Sequence, residues 1–465
     1  MHTTSQAKNA WRILFLLFVV NLFNYFDRTI PAIIIEPLRL AWDLSDFQLG
    51  LAGTAFTVVY ALAGLPLGRM ADNGSRRAIM GWGLAVWSGL TAATGLASGF
   101  WSFLLIRMGV GVGEASYLPA ASSLIADLFP SQRRGKAMGF FMLGLPLGLL
   151  LAFFTVGAMV QAFDNWRAPF FIAAVPGLLL AICMFFIREP ARGAADNVKV
   201  DPQPVSRPLR KILAITSFRW LVLAGLTFNF ATYACTSFMV PMLQRYFGLP
   251  LERAAVATGI IVGVTGLVGL TFGGALADRI HQRWAKGRLL FAALSMLLAA
   301  LFSGVALLAG RIEAGLFVVL FSVGWLFSYS FFTCALTAVQ DVIEPRLRAT
   351  AMALFFAALY LLGGGLGPIA VGLLSDHYAQ VAMLAAGMNV MNETFKAQGL
   401  HGAMLLIPAA LLVTMFALLM ASRFFVADAN AMRRGLGNSD DRRAANPATD
   451  STPSLQPLAV EKLHD

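Results

Sequence analysis

Four ionisable residues lie well inside long apolar stretches, and their types suit them for chemistry. They are Asp27 and Arg28 in the first stretch and Arg107 and Glu114 in the fourth. An ionisable side chain inside a membrane is costly unless it is paired or hydrated, and such residues usually mark ion or substrate pathways. A carboxylate there can gain and lose a proton, whereas an arginine stays charged and binds anions. We therefore expect proton exchange at Asp27 and Glu114 and anion binding at Arg28 and Arg107.

The spacing of these residues predicts how they are arranged. Arg107 and Glu114 are seven residues apart, about 700° of rotation and about 10.5 Å of rise, so they share a helix face but are too distant for a direct ion pair. Asp27 and Arg107 lie at matching depths, about 9 to 10 Å from the outer ends of their helices. We predict that Asp27 meets Arg107, that Arg28 faces a cavity, and that Glu114 lies near the membrane midplane. The alternative is a static ion pair that only holds the two helices together.

Amides and hydroxyls in the same kind of stretch give weaker signals. Asn24 and Arg28 lie along one flank of the first stretch, and Asn229 and Tyr233 form a similar polar line in the seventh. These side chains are candidates for hydrogen bonds to a substrate headgroup. Isolated amides and hydroxyls in a span also serve as contacts between helices, and this interpretation stays open.

Signatures of other chemistry do not occur in the sequence. It has no Walker loop, no His-Glu-x-x-His and no Gly-x-Ser-x-Gly, so ATP-driven pumping and the commoner hydrolyses have no support. Cys183, Cys235 and Cys334 are far apart within apolar stretches, which argues against a disulfide framework or a metal cluster. We expect no cofactor, no metal and no enzymatic activity.

The composition is that of a polytopic membrane protein. Of the 465 residues, 58% are hydrophobic and 13% are charged, and the charged fraction is about half that of an ordinary soluble domain. A bilayer-spanning helix needs about 20 apolar residues. The expected fold is all-α with twelve transmembrane helices, near residues 12–35, 47–69, 78–98, 101–126, 136–161, 167–187, 219–244, 253–276, 288–309, 314–339, 350–374 and 402–425.

The distribution of Lys and Arg predicts the topology. Most of these residues fall on the side that holds the N-terminus, and positive residues accumulate on the cytoplasmic side of membrane proteins. Both termini are therefore expected in the cytoplasm of a multi-pass cell-membrane protein. The net charge of +11 then reflects topology, which argues against a nucleic-acid partner. The few positive residues expected on the opposite side are Arg39, Arg167, Arg245, Arg253, Arg311 and Lys396.

Two polar segments divide the chain. Residues 188–218 are basic and proline-rich, which predicts a cytoplasmic linker between six-helix bundles at 1–187 and 219–427. Residues 428–465 are rich in Asp, Arg, Pro, Ser and Ala, and we expect a disordered cytoplasmic tail.

A motif repeated between the two halves predicts their relationship. Gly68-x-Met-Ala-Asp72 recurs as Gly274-x-Leu-Ala-Asp278. A parallel repeat of six spans is one architecture of secondary transporters, with the binding site near the midplane between the halves. The two bundles are therefore expected to be pseudo-symmetric.

The repeated motif resembles the loop signature of the major facilitator superfamily. This resemblance implies alternating access by rocking of the two bundles, with spans 1, 4, 7 and 10 lining the cavity. Asp72 lies near a helix end and several arginines that can compete for it, so it could latch the cytoplasmic side closed. The expected latch residues are Asp72, Arg76, Arg77, Arg133, Arg134, Asp278 and Arg279.

Two further segments resemble the spinster family: Asn24-Tyr-Phe-Asp27-Arg28 and Gly111-Val-Gly-Glu114-Ala-Ser-Tyr117. This resemblance implies proton-dependent export of lysophospholipids or sphingosine 1-phosphate. The same charges are also similar to those of proton-coupled symporters of small organic anions such as sugar acids, which are the alternative. A membrane sensor or a lipid-modifying enzyme is a remote alternative. The expected partners are an anionic lipid-like substrate, protons and membrane lipids, and the protein is expected to act as a monomer.

Overall fold

A computed structural model describes residues 2–129, 131–190, 208–284, 286–310, 312–344 and 347–445. Regular secondary structure in these ranges is helical. Ten stretches are long and apolar enough to cross a membrane, and the helices at 76–94 and 100–128 complete the twelve that hydropathy predicts. The all-α fold with twelve transmembrane helices is therefore confirmed.

The N-terminal half contains spans 1 to 6. A short helix, Ile35–Trp42, follows span 1, and spans 4 and 5 are each made of two consecutive helices. In order, the spans are His2–Ile33, Asp46–Asn73, Arg76–Thr94, Phe100–Ala115 with Tyr117–Leu128, Ser131–Met142 with Gly144–Phe163, and Ala168–Phe185.

The C-terminal half contains spans 7 to 12 and is preceded by the short helix Pro208–Ala214. Spans 8 and 11 each contain a π-helical segment, a feature that often occurs near functional sites. In order, the spans are Thr216–Arg245; Leu251–Gly259, Ile260–Val264 (π) and Thr265–Arg283; Gly287–Leu308; Ala314–Ser328 with Ser330–Val342; Arg348–Ala357, Ala358–Gly364 (π) and Gly365–Ala385; and Glu393–Ala403 with Leu406–Ala445.

The sequence predicts a disordered tail from residue 428 onward, whereas the last helix of the structure continues through Ala445. Asp428 accepts a hydrogen bond from the backbone N–H of Ser217 at 2.8 Å, and Ala429 is buried. These contacts fix the first turn of the extension against the start of span 7. Residues 446–465 and linker residues 191–207 lie outside the described ranges.

Glycines allow the two halves to approach closely on the side opposite the termini, called the distal side below. A Cβ on Gly50 in span 2 would collide with the carbonyl of Pro368 in span 11, and a Cβ on Gly372 would collide with the carbonyl of Asp46. Small residues at such crossings let helix backbones touch. The distal ends of spans 2 and 11 are therefore tightly packed.

Candidate functional site

A cavity of about 240 Å³ lies between the two halves. Spans 1, 2, 4 and 5 form one wall and spans 7, 8, 10 and 11 form the other. Most of the lining is apolar or aromatic, and a few polar groups interrupt it, as in small-molecule sites generally. Arg28, Arg107, Asn229 and Tyr233 line the cavity, whereas Asn24 is buried behind the wall.

Arg28 is held at the cavity wall by an ion pair with Glu114. Its Nη2 and Nε atoms lie 2.9 and 3.1 Å from the same oxygen, Oε2 of Glu114. The Arg28 side chain is 17% exposed, whereas that of Glu114 is fully buried. The guanidinium carbon also lies 4.3 Å from the ring centroid of Tyr60 and 5.2 Å from those of Tyr25 and Phe56. These cation–π contacts fix a positive charge at the cavity surface.

The predicted contact between Asp27 and Arg107 does not form an ion pair. Both residues are buried, and neither the Asp27 carboxylate oxygens nor Nη1 of Arg107 have a hydrogen-bond partner among the described residues. The Arg107 guanidinium instead packs over Phe56 at 5.1 Å from the ring centroid. Two residues at the same depth along their helices can still direct their side chains to different neighbours. The long side chain of Arg28 reaches Glu114 although the two residues lie at different depths.

Asn229 contributes to helix packing as well as to the cavity wall. Its amide nitrogen donates to the carbonyl of Leu359, in the π-helical segment of span 11, at 2.8 Å. Asn21 makes a similar contact in the N-terminal half, to the carbonyl of Phe141 at 3.0 Å. The amide nitrogen of Asn229 is therefore engaged in a contact between helices. Tyr233, the other residue of this polar line, contributes an aromatic ring to the cavity wall.

The expected latch of the cytoplasmic side is only partly covered by the structure. The side chains of Asp72, Arg134 and Asp278 lie outside the described residues, and those of Arg77, Arg133 and Arg279 are exposed.

Arg76, one of the expected latch residues, is buried and forms ion pairs inside the N-terminal half. It pairs with Asp127 at the end of span 4 and, at 2.7 Å, with Glu189 after span 6. Partial burial acts to raise the pKa of Glu189, but the hydrogen bonds from Arg76 outweigh it and hold that pKa below its usual range. Arg288 and Asp341 pair at 3.2 Å in the C-terminal half. These contacts tie spans together within each half.

A network of charges joins the two halves at the distal side, and sequence reasoning missed it. Arg245, at the end of span 7, lies 2.6 Å from Oε2 of Glu36 and 2.8 Å from Oδ1 of Asp46. Arg39 lies 2.6 Å from Oε1 of Glu36 and 2.6 Å from Oε2 of Glu393, at the start of span 12. We call Glu36, Arg39, Asp46, Arg245 and Glu393 the distal clasp.

Span 11 adds hydrogen bonds to the distal clasp. Ser375 donates to Oδ2 of Asp46 at 2.6 Å, and Asp376 accepts from the backbone N–H groups of Asp46 and Phe47 at 3.1 and 3.0 Å. A signal was present in the sequence, because Arg39 and Arg245 belong to the few positive residues on this side. The clasp and the glycine contacts together close the distal side in this conformation.

Comparisons with known proteins agree with this architecture. Residues 17–368 match the family model of the Major Facilitator Superfamily. An MFS-type efflux pump from Mycolicibacterium smegmatis is 30% identical over 87% of this chain and 90% of its own length. Protein spinster homolog 1 from Homo sapiens is 30% identical over 78% of this chain and 72% of its own. The crystal structure of a bacterial homologue of the human lysosomal transporter Spinster, inward-facing and unoccupied, matches with a TM-score of 0.82 at 26% identity, covering 90% of this chain and 98% of that one.

Two more relatives carry a substrate in their names. The sphingosine-1-phosphate transporter SPNS2 from Xenopus tropicalis is 26% identical over 78% of this chain and 73% of its own. The hexuronate transporter of Bacillus subtilis is 26% identical over 83% of this chain and 93% of its own. The chain, with twelve membrane spans in two halves around a central cavity, belongs to the major facilitator superfamily and is a transporter of the spinster type.

Proposed function

We propose that the protein is a proton-coupled secondary active transporter of an amphipathic anionic lipid, of the lysophospholipid or sphingosine 1-phosphate class. The observation that carries this proposal is the Arg28–Glu114 pair at the wall of a largely apolar cavity. An arginine at such a wall binds a phosphate or carboxylate group through charge-assisted hydrogen bonds. Arg107 lies at the same cavity and adds a second positive charge.

The apolar part of the lining supports a lipid substrate. Ile35, Leu38, Leu49, Phe103 and Leu149 all border the cavity. Covering such surface with an acyl chain is favourable because it removes apolar area from water. A small hydrophilic anion has no apolar portion to cover these side chains.

Competition for Arg28 supplies the coupling step of the proposed mechanism. When Glu114 gains a proton, its pair with Arg28 weakens and the guanidinium is free for an anionic headgroup. Release of the headgroup lets Arg28 return to an ionised Glu114. Asp27 is the second proton site. Its carboxylate is buried and has no hydrogen-bond partner among the described residues, and keeping it ionised in that place is costly. We therefore link proton uptake and release at Asp27 to changes in the packing of spans 1 and 4.

The distal clasp supplies the conformational step. Rocking of the two halves breaks the clasp and opens the cavity to the distal side, and closure of the cytoplasmic ends accompanies it. We place the termini in the cytoplasm of a cell-membrane protein, as the excess of positive residues on that side supports. Asp72 and Asp278 stay the proposed anchors of the cytoplasmic latch, and the transporting unit is proposed to be the monomer.

A small organic anion is the second candidate substrate. It is favoured by the likeness to a hexuronate transporter and by the polar groups of Asn229 and Tyr233 near Arg28. In this case the two arginines would hold the carboxylate, and the polar groups of span 7 would contact sugar hydroxyls.

A transport assay in proteoliposomes distinguishes the two candidates. A lysophospholipid, sphingosine 1-phosphate and glucuronate are each presented with and without an imposed pH gradient. Our proposal predicts saturable movement of at least one lipid, accelerated by the gradient and absent from protein-free liposomes. Movement of glucuronate alone would show that the small-anion alternative is right, and lipid movement that ignores the gradient would contradict proton coupling.

A further inference from the structure

Phe56 in span 2 contacts both arginines of the cavity. The guanidinium carbon of Arg28 lies 5.2 Å from the centroid of its ring, and that of Arg107 lies 5.1 Å from the same centroid. Both distances are within the range of cation–π attraction. The two guanidinium carbons are at most about 10 Å apart, which is the sum of these two distances. One aromatic ring therefore contacts two positive charges.

The sequence of span 4 explains why the ring fits at this place. Arg107, Gly111 and Glu114 follow one another at intervals of four and three residues, so they lie along one face of the helix. Gly111 leaves a gap on this face, and span 2 fills it. A Cβ on Gly111 would lie 3.1 Å from the carbonyl oxygen of Phe56 and 3.4 Å from its ring atom Cδ2. Phe56 therefore packs on span 4 between the two charged residues.

This packing separates Arg107 from the pair of Arg28 with Glu114. The pair is closed at 2.9 Å, whereas Nη1 of Arg107 has no hydrogen-bond partner among the described residues. Arg107 is only 3% exposed, and it borders the cavity. A buried guanidinium N–H without an acceptor is costly, and an anionic ligand in the cavity would supply one. Arg107 is therefore a donor that is available to a ligand.

The Phe56 ring is fixed in its position. The residue is 7% exposed, and its ring stacks on Tyr60 of the same span, with centroids 6.2 Å apart and an interplanar angle of 21°. The Tyr60 ring also contacts the guanidinium of Arg28, with 4.3 Å between its centroid and the guanidinium carbon. The aromatic pair keeps the two arginines in defined positions, which lowers the entropy lost when both bind one ligand.

Two guanidinium groups held apart on one ring suit a phosphate better than a carboxylate. A terminal phosphate ester carries a charge of about −1.5 to −2 at neutral pH and has three acceptor oxygens that point in different directions. It can therefore accept hydrogen bonds from two arginines at once. A carboxylate carries one negative charge, and a single guanidinium fork satisfies its two oxygens.

We propose that Phe56 is a specificity-determining residue of the headgroup site, which holds Arg28 and Arg107 as two separate donor groups and thereby selects a lipid phosphate over a fatty carboxylate. The inference rests on the proposed transport of an anionic lipid, and it adds the residue that distinguishes two kinds of anionic lipid. When the headgroup replaces Glu114 as the partner of Arg28, both arginines bind the phosphate. Specificity is a difference between two affinities, so loss of the ring should reduce the advantage of the phosphate.

The test compares dodecyl phosphate with dodecanoate, which have chains of similar length and different headgroups. Dissociation constants are measured by scintillation proximity with radiolabelled ligands, on purified protein in phosphatidylcholine nanodiscs. We expect the wild-type protein to bind the phosphate about tenfold more tightly than the carboxylate. Phe56→Leu should lose about tenfold in phosphate affinity with little change for dodecanoate, whereas Phe56→Tyr keeps a ring and should retain the preference.

Two further variants separate this role from a general effect on packing. Phe103→Leu is the matched control, because Phe103 borders the same cavity and its ring packs against Trp42 and Phe170. It should change the affinity for both ligands by the same factor. Trifluorophenylalanine at position 56 keeps the size of the ring but weakens its attraction for cations, so the preference should fall by about threefold. Thermal unfolding shows which variants fold.

Three results overturn the inference, and they are distinguishable. An unchanged preference in the position-56 variants that fold would show that this ring does not decide the headgroup, while transport of an anionic lipid stands. Equal affinity of the wild-type protein for both ligands would show that the site does not select a phosphate. A wild-type protein that binds neither ligand would remove the anionic lipid as substrate, and the inference with it.

Discussion

Substitution of Arg28 by methionine is expected to weaken substrate binding about ten- to hundredfold. The reason is that the guanidinium supplies a charge-assisted hydrogen-bonding group at the cavity wall, and such a bond contributes about 1.5–3 kcal/mol. Arg28→Lys keeps the charge but loses the planar fork, so its loss should be smaller. The dissociation constant is measured on purified protein with a labelled lysophospholipid.

A double substitution separates binding from stability at this site. Arg28→Met leaves Glu114 buried without its partner, which should lower thermal stability. Arg28→Met combined with Glu114→Gln removes both charges, so stability should recover while binding stays weak. Arg219→Met, at an exposed arginine, is the matched control. Wild-type affinity in Arg28→Met would show that this arginine is not the headgroup site.

Substitution of Arg245 by glutamine is expected to open the distal side. Arg245 is 3% exposed in its side chain and joins Glu36 and Asp46 of the other half, so its loss leaves two buried carboxylates without this partner. Removing one member of a buried ion pair costs about 3–5 kcal/mol. This cost falls on the distally closed conformation alone, and about 3 kcal/mol shifts an equilibrium more than a hundredfold.

Distance measurements between spin labels test this opening. Leu40 and Val390 are exposed on the distal side, one in each half, and their cysteine substitutions carry the labels in a background without the exposed Cys183. The label distance should lengthen in Arg245→Gln. Arg167→Gln is the matched control, because Arg167 donates to the carbonyls of Gly95 and Ala97 within its own half. An unchanged distance distribution in Arg245→Gln would show that the clasp does not hold the halves together.

The helices could be predicted from the sequence because a spanning segment must satisfy its own backbone hydrogen bonds and present apolar side chains to lipid. Hydropathy therefore located all twelve spans. It located their ends less well, since span 11 continues to Ala385 and span 12 to Ala445. The extension of span 12 is fixed by the contact between Asp428 and Ser217. These two residues are far apart in the chain, so the local composition does not predict their contact.

The charged residues of the candidate site could also be selected from the sequence, but the way in which they pair could not. Burial cost singles out Asp27, Arg28, Arg107 and Glu114 without any structure. Depth along a helix gives the height of a Cα atom, whereas the partner of an arginine depends on where a long side chain turns. Phe56 of span 2 receives the guanidinium of Arg107, and nothing in the spacing of spans 1 and 4 indicates that contact.

The distal clasp depends on how the halves dock, which explains why it was missed. Glu36 and Arg39 lie in a short helix that hydropathy treats as a loop. Their partners Arg245 and Glu393 are far away in sequence and belong to the other half. When only the sequence is known, charged residues outside the membrane core are expected to be solvated, so nothing marks them as buried. Only the assembled structure reveals that they are buried together.

Substrate-driven proton movement in proteoliposomes tests the central claim most directly. A pH-sensitive dye inside the vesicles reports protons when the transported lipid is added. The wild-type protein and Asp164→Asn, a control at an exposed carboxylate, should both move protons with the lipid. Asp27→Asn and Glu114→Gln should each lose most of the proton signal while they still bind the lipid. Unchanged coupling in both variants would contradict proton exchange at this site.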